Sequence, residues 1–321
     1  MKLTSFHWGT YFVKTSKSKI IDLIPFHKDK DPSPIGNGVL DIIENDLRIK
    51  NPMIRKGWFE NGPGKKNQLR GSDEFIEVSW KTANKLIAKE LKRVIKNFGN
   101  ESIYAGSYGW ASAGRFHHAQ SQIHRFLNCL GGYTTSVNTY SFAAAEVIVP
   151  HVLGDFRSFI YNQTSWESII KDSELFLGFG GVPIKNGQIG QGGIGRHIQR
   201  ESILKAYKKG ISFINISPLK EDMPKEIKAE WIPIRPNTDT ALILSICFVL
   251  LNKKLYNRKF IKKYTYGYEK FFDYLNGKID GIRKSPEWAS KICNISISSI
   301  YELVKKISKS RTMISVSWSL T

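Results

Sequence analysis

Tyr108, Trp110 and Ser141 place a phenol, an indole and a hydroxyl on two short stretches, Gly106-Ser-Tyr-Gly-Trp110 and Asn138-Thr-Tyr-Ser-Phe-Ala-Ala-Ala-Glu146. Gly106 and Gly109 lie close to Tyr108, so the backbone can turn sharply and present the ring to a ligand. A serine alkoxide is a hard oxygen donor suited to a high-valent metal, and a nearby phenol can donate a hydrogen bond to an oxygen on it. The plainer reading makes Tyr108 and Trp110 interface aromatics and Ser141 a helix cap, and residue types alone favour it.

Two glycine-rich stretches follow. Gly178-Phe-Gly-Gly-Val-Pro-Ile-Lys185 comes directly after a strand-like apolar run, where glycines let backbone N–H groups approach a phosphate or nucleotide. A plain glycine turn is the other reading. Gly190-Gln-Gly-Gly-Ile-Gly195 fits G-x-G-x-x-G and invites a nicotinamide or flavin assignment. That fingerprint must follow a strand at once and be answered by an acid at the end of the next strand. Here the strand ends near Gly180 and the next one ends in Asn215 and Ser217, so the match reads as chance and supports only a secondary NAD(P)-dependent reading. His117, His118 and His124 share one expected helix, but no carboxylate or cysteine at matching spacing completes a metal set. Glu146 reads as structural.

These residues depend on the elements around them. Residues 7–14 and 19–26 alternate as a hairpin about a Ser-Lys-Ser turn. Residues 82–98 form an amphipathic helix with Thr82 as cap and Gly99 as stop. Helices are expected over 116–130, 141–149, 196–209 and 239–252. Strands are expected at 102–106, 174–180, 212–217 and 313–318, with an extended piece near 230–234. Alternating strands and helices imply parallel sheets whose ligands sit beyond the strands' carboxyl ends. The turns at 106–110, 180–186 and 217–222 are all such ends and can face one crevice.

At 321 residues the chain can bury a large core. Its formal net charge is +20, but the lysines are scattered over polar helix faces with no Arg/aromatic stripe, so a nucleic-acid-binding role is a minor alternative. Cys129, Cys247 and Cys293 form no CxxC pair and fit buried thiols in a reducing compartment. No export signal precedes Phe6-His-Trp-Gly-Thr10, and the longest apolar run, 240–251, is too short to span a bilayer.

Taken in order, Gly-Ser-Tyr-Gly-Trp110, Gly114-Arg-Phe-His-His118, Gly131-Gly-Tyr-Thr134 and the run from Asn138 to Val152 resemble one continuous signature of the molybdenum S- and N-oxide reductases, the dimethyl sulfoxide reductase family. Phe6-His-Trp-Gly-Thr10, Pro52-Met-Ile-Arg-Lys-Gly57 and Phe75-Ile-Glu-Val-Ser-Trp80 look like further landmarks, so the resemblance covers essentially the whole chain. It implies an α/β fold. A small β-rich piece at 1–57 would precede two parallel-sheet, Rossmann-like segments: 58–152 carrying the metal ligand, and 153–321, dinucleotide-binding-like. The C-terminal part of the family fold is expected to be absent. The implied cofactor is molybdenum held by two molybdopterin guanine dinucleotides. Ser141 would be the metal ligand, Tyr108 the donor to the oxo group or substrate oxygen, and Trp110 a wall packed on the cofactor. Gly180, Gly181, Pro183, Lys185, Ser217, Pro218, Asn237 and Asp239 would hold one guanosine diphosphate arm, and Trp318 would lie beside the second pterin. Many relatives have an acid where this chain has Ser217, which weakens that position. His7-Trp8-Gly9 stands where cluster-bearing members have cysteines, so no iron–sulfur cluster is expected. The implied reaction removes oxygen from an S-oxide or N-oxide small molecule, with an unknown electron donor. The expected setting is cytoplasmic, with no membrane and no specific nucleic acid. The alternatives are an inactive remnant, or one half of a split enzyme completed by a second polypeptide.

Overall fold

The computed structural model describes residues 2–43, 45–64, 71–107, 118–137, 139, 142–190 and 193–316. Two compact units divide the chain: Met1–Val137 with Ile189–Arg196, and Asn138–Gln188 with His197–Thr321.

The first unit opens with a three-stranded antiparallel sheet, β1 (Lys2–Phe6), β2 (Gly9–Ser16) and β3 (Lys19–Pro25). The β2–β3 turn carries Lys17 and Ser18 at positive φ, the mirror-type turn whose twist matches a hairpin. The hairpin is the expected one, while β1 is an extra strand whose mixed sequence hides its alternation. After α1 (Val39–Ile43), the short strands β4 (Met53–Arg55) and β5 (Phe75–Glu77) pair antiparallel about α2 (Lys56–Asn61). Helix α3 (Trp80–Phe98) begins two residues before the sequence reading. Its cap is Ser79, not Thr82: Ser79 Oγ accepts from the Thr82 amide at 3.1 Å. Helix α4 (Ala119–Cys129) starts after His118, whose Nδ1 accepts from the Ser121 amide. The strand expected at 102–106 is present, among the described residues, as one parallel bridge between Tyr104 and Thr134.

The second unit begins with α5 (Ala143–Val152), α6 (Phe156–Tyr161) and α7 (Trp166–Asp172). Helix α5, which the sequence reading grouped with residues 58–152, belongs by contact with this unit, and Phe142 lies 5.7 Å from Phe156. A four-stranded, all-parallel sheet forms the centre: β6 (Leu175–Phe179), β7 (Ser212–Ile216), β8 (Glu230–Ile232) and β9 (Thr312–Val316). Between β6 and β7 come α8 (Ile184–Gly187) and α9 (Gln199–Lys208). Between β8 and β9 come α10 (Asp239–Asn252), α11 (Arg258–Tyr264), α12 (Tyr268–Leu275), α13 (Pro286–Cys293) and α14 (Ile297–Lys309).

Every residue of β6 is buried, because both faces of the sheet are covered. Leu175, Leu177 and Phe179 pack with Ile214, Ile216 and the α10, α13 and α14 side chains. On the other face, Phe176 and Phe213 join Ile169, Ile203 and Ala206 from α7 and α9. Helix α10 is apolar on most sides because it packs against the sheet on one side and α12–α14 on the other.

Candidate functional site

The strand order in the second unit is β8-β7-β6-β9. Counted along the chain this is third, second, first, fourth: the sheet grows one way from β6, then reverses. A parallel sheet that reverses in this way opens a crevice at the carboxyl ends of the strands flanking the reversal, and nucleotides bind there. All four strands are parallel, so the segments after β6, β7 and β8 share one edge. Among the described candidates, Gly180, Gly181, Pro183 and Lys185 follow β6, Ser217 and Pro218 follow β7, and Asn237 and Asp239 follow β8.

The β6 turn is shaped by glycines. Gly180 and Gly181 both have positive φ, +81° and +67°. A Cβ on Gly181 would lie 2.4 Å from the Asp222 carbonyl oxygen, and one on Gly178 would lie 2.7 Å from Met223 Cε. The loop after β7 therefore folds back against this turn at backbone distance. Three amides of the turn are already engaged: Gly180 N donates to Ile216 O, Gly181 N to Gly178 O and Val182 N to Asp222 O (2.9, 3.3 and 2.7 Å). What the turn offers a ligand is thus a smooth backbone surface and the exposed Lys185, rather than a set of vacant glycine amides. Gln199 buttresses it from α9, its Nε2 donating to the Val182 and Pro183 carbonyls.

The β7 end is built around two buried polar residues, Asn215 and Ser217, each 1 % exposed. Asn215 Nδ2 donates to the carbonyls of Leu219 and Lys220, both at 3.1 Å, while its Oδ1 is buried without a partner. Ser217 Oγ donates to Asp222 Oδ2 at 2.5 Å and accepts from the Leu219 amide at 3.2 Å. The Ser217 carbonyl accepts from Trp231 Nε1 at 2.9 Å. Asn215, Asp222, Gln199 and Trp231 were not singled out as site residues from the sequence. The available signal was Asn215, a polar side chain inside an otherwise apolar strand.

After β8, Thr238 Oγ1 donates to Arg235 O at 2.7 Å, and Cys293 Sγ donates to Thr238 O at 3.3 Å. Burial pushes the Cys293 thiol up, and Asp239 nearby adds in the same direction. Asn237 is exposed in the left-handed region at φ +65°, and Asp239 lies in the first turn of α10.

Tyr108, Trp110, Ser141, Trp318 and His117 lie outside the described residues. Helix α5, which follows Ser141 in sequence, carries Glu146 in its first turn, with Oε2 buried and lacking a hydrogen-bond partner. His124 packs its ring 5.6 Å from Tyr133, and no group of three His, Cys, Asp or Glu side chains among the described residues could hold a metal.

The Gly190–Gly195 segment lies in the first unit. Gly190 N donates to His7 O at 2.6 Å, Ile194 N to Phe6 O at 3.3 Å, and Thr10 Oγ1 to Ile194 O at 2.9 Å. Gly193, at φ +108°, has Ser5 Oγ 2.8 Å from where a Cβ would stand. Strand β6 ends eleven residues before this segment, and α8 intervenes, so Gly190 and Gly193 serve close docking on the N-terminal residues rather than a nucleotide fingerprint.

Residues 48–321 match the family described as molybdopterin oxidoreductase, and residues 4–43 match its N-terminal domain. The chain belongs to the molybdopterin oxidoreductase family. It is 39% identical over 296 residues to a biotin sulfoxide reductase of Cereibacter sphaeroides, covering 92% of this chain and 40% of that protein. It is 35% identical to a dimethyl sulfoxide/trimethylamine N-oxide reductase of Rhodobacter capsulatus, covering 98% and 38%. It is 37% identical to a trimethylamine-N-oxide reductase of Haemophilus influenzae, covering 99% and 38%. The acetylene hydratase structure from Pelobacter acetylenicus shares the fold, with a TM-score of 0.61 at 19% identity over 97% of this chain and 38% of that one. The chain thus spans about 40% of the length of the curated relatives it matches. Among the described residues, no helix of this molybdopterin oxidoreductase chain is long and apolar enough to cross a membrane.

Proposed function

We propose that this chain is the N-terminal portion of a molybdenum-dependent S-oxide or N-oxide reductase. The observation that carries the reading is the reversed parallel sheet: two positive-φ glycines end β6, and a carboxylate, Asp222, is tied to the end of β7. A crevice at that edge is where the nucleotide arm of a molybdopterin guanine dinucleotide would lie. Gly180, Gly181 and Pro183 would let the arm lie against the backbone. Lys185 would meet its pyrophosphate, and the Ser217–Pro218 and Asn237–Asp239 loops would flank its nucleoside. Trp318 would lie beside a second pterin. Ser141 would ligate the metal, Tyr108 would hold the substrate oxygen by a hydrogen bond, and Trp110 would exclude water. A bound molybdenum centre supplies two-electron oxygen-atom transfer, turning an S-oxide or N-oxide into the sulfide or amine. The protein supplies positioning and electrostatics. The three cysteines are free thiols, which favours a reducing compartment such as the cytoplasm, although only Cys293 is buried as expected, Cys247 being half-buried and Cys129 exposed.

A second reading has its own support. The chain matches about 40% of its relatives' length. The first unit carries an apolar groove of about 490 Å³ lined by Trp58, Trp80, Leu86 and Ile87. In that reading the described residues hold the cofactor only together with further parts of the fold. The test is expression in a molybdenum-cofactor-competent host, with molybdenum and guanine measured per mole of protein beside Ser141→Ala. Near-stoichiometric molybdenum, lost in the variant, supports a working site in this chain. A folded protein without molybdenum favours the second reading.

A further inference from the structure

We propose that Asp222, held by Ser217, is the residue that receives the ribose hydroxyls of a bound nucleotide, and that it makes this edge select ribonucleotides over 2′-deoxyribonucleotides. The proposal rests on the nucleotide-arm reading above and adds the reading residue and its selectivity.

In a parallel sheet of this order, the side chain that bonds a ribose diol is an acid at the end of the second strand. The second strand here is β7, and Ser217 stands at its end. Ser217 cannot serve as the donor or the charge. Its hydroxyl proton points to Asp222 Oδ2 at 2.5 Å, it already accepts from the Leu219 amide, and it is 1 % exposed. The hydroxyl instead presents a carboxylate from five residues on.

Three contacts hold that carboxylate at the edge. Asp222 O accepts from the Val182 amide at 2.7 Å, which ties its backbone to the turn after β6. Gly181 has no Cβ, and one built there would stand 2.5 Å from Asp222 Cβ, so the acid occupies the space that any other residue would fill. Asn215 clamps the Leu219 and Lys220 carbonyls, which bends the loop back to the strand end. Asp222 therefore sits between the ends of β6 and β7, part-exposed, and among the described residues Oδ1 makes no hydrogen bond. A carboxylate with a vacant oxygen accepts hydrogen bonds from a vicinal diol. It repels a 2′-phosphate, and it is left unpaired by a 2′-deoxyribose.

The experiment is equilibrium binding of GDP and 2′-deoxy-GDP to the full chain, with Asp222→Asn, Ser217→Ala and the double variant Ser217→Asp/Asp222→Asn, each checked for folding by circular dichroism. Wild type is expected to prefer GDP by about tenfold or more, the scale of a hydrogen bond to a charged group. Asp222→Asn should abolish the preference, and Ser217→Ala should reduce it. The double variant, with its acid directly on the strand end, should restore it, and so excludes misfolding as the cause of the loss. Equal binding of the two nucleotides by wild type overturns the proposal. So does a preference that survives in Asp222→Asn, or no nucleotide binding at all. Molybdenum content is read separately. Molybdenum retained without any Asp222-dependent preference sinks this inference alone. A preference without molybdenum sustains it while the oxide-reductase reading fails.

Discussion

Replacing Gly181 by alanine tests the loop-on-loop packing at the carboxyl edge of the sheet. Gly181 adopts φ +67°, which costs an L-residue about 1 kcal/mol relative to glycine. The new Cβ would stand 2.4 Å from the Asp222 carbonyl oxygen and 2.8 Å from its carbonyl carbon, both backbone atoms that cannot swing aside. Overpacking of this kind costs about 1–3 kcal/mol. Parting the two loops also strains the Val182–Asp222 hydrogen bond, whose net worth is about 1 kcal/mol. The expected loss is about 3–5 kcal/mol. Gly267→Ala is the matched control in the same unit: φ is +78°, and no atom lies within 4 Å of the added Cβ, so only the conformational cost of about 1 kcal/mol applies. With a urea slope of about 2 kcal/mol per molar, the two midpoints should differ by about 1–2 M. The assay is urea unfolding followed by circular dichroism, with the slopes compared to confirm that the same surface is exposed. Equal midpoints for Gly181→Ala and Gly267→Ala would refute the packing of Asp222 on the β6 turn.

Two further outcomes follow from named contacts. Ser79→Ala should cost about 1 kcal/mol in thermal stability and Thr82→Ala appreciably less, because Ser79 accepts from the N-terminal amide of α3; equal losses would return the cap to Thr82. Lys284, 2 % exposed, donates to Asp280 Oδ2 at 2.5 Å and to Ile282 O at 2.7 Å, with its Nζ 4.4 Å from the Tyr274 ring. That hydrogen bond, foremost, holds the Asp280 carboxyl below its ordinary value. The contact's stabilisation is complete above the ordinary aspartate range and is lost as pH falls through the lowered value. Lys284→Met should therefore flatten the acid limb of the stability–pH curve between those two points, and an unchanged limb in an acid titration of unfolding would contradict the assignment.

The legible parts of the fold were those that local chemistry decides. Helix α10 was readable with its ends, because a long apolar run behind Asn237-Thr-Asp239 has no other stable form. Strands β6 and β7 were readable as short apolar runs closed by Gly180 and by Ser217-Pro218. The Lys17–Ser18 turn fixed the β2–β3 hairpin. The misplaced α3 cap had a narrow cause: Ser79 and Thr82 are both good caps, and only the geometry of the first turn tells which oxygen meets which amide. The Gly190–Gly195 spacing resembled a nucleotide fingerprint, yet Gly190 and Gly193 answer to Ser5, Phe6 and His7, which are remote in sequence.

By itself the sequence determined the family, the α/β alternation and the strand ends, because these depend on residue type and short spacing. Only the tertiary structure decided that β9 lies beside β6, which reverses the sheet and opens its carboxyl edge. It also decided that the loop after β7 folds back so that Asp222 is tied to Ser217 and to the turn after β6. Both outcomes rest on contacts between residues far apart along the chain, or on a loop folding back at backbone distance over Gly178 and Gly181. No local pattern records such contacts, since any sequence with the same periodicity could have closed the sheet in another order.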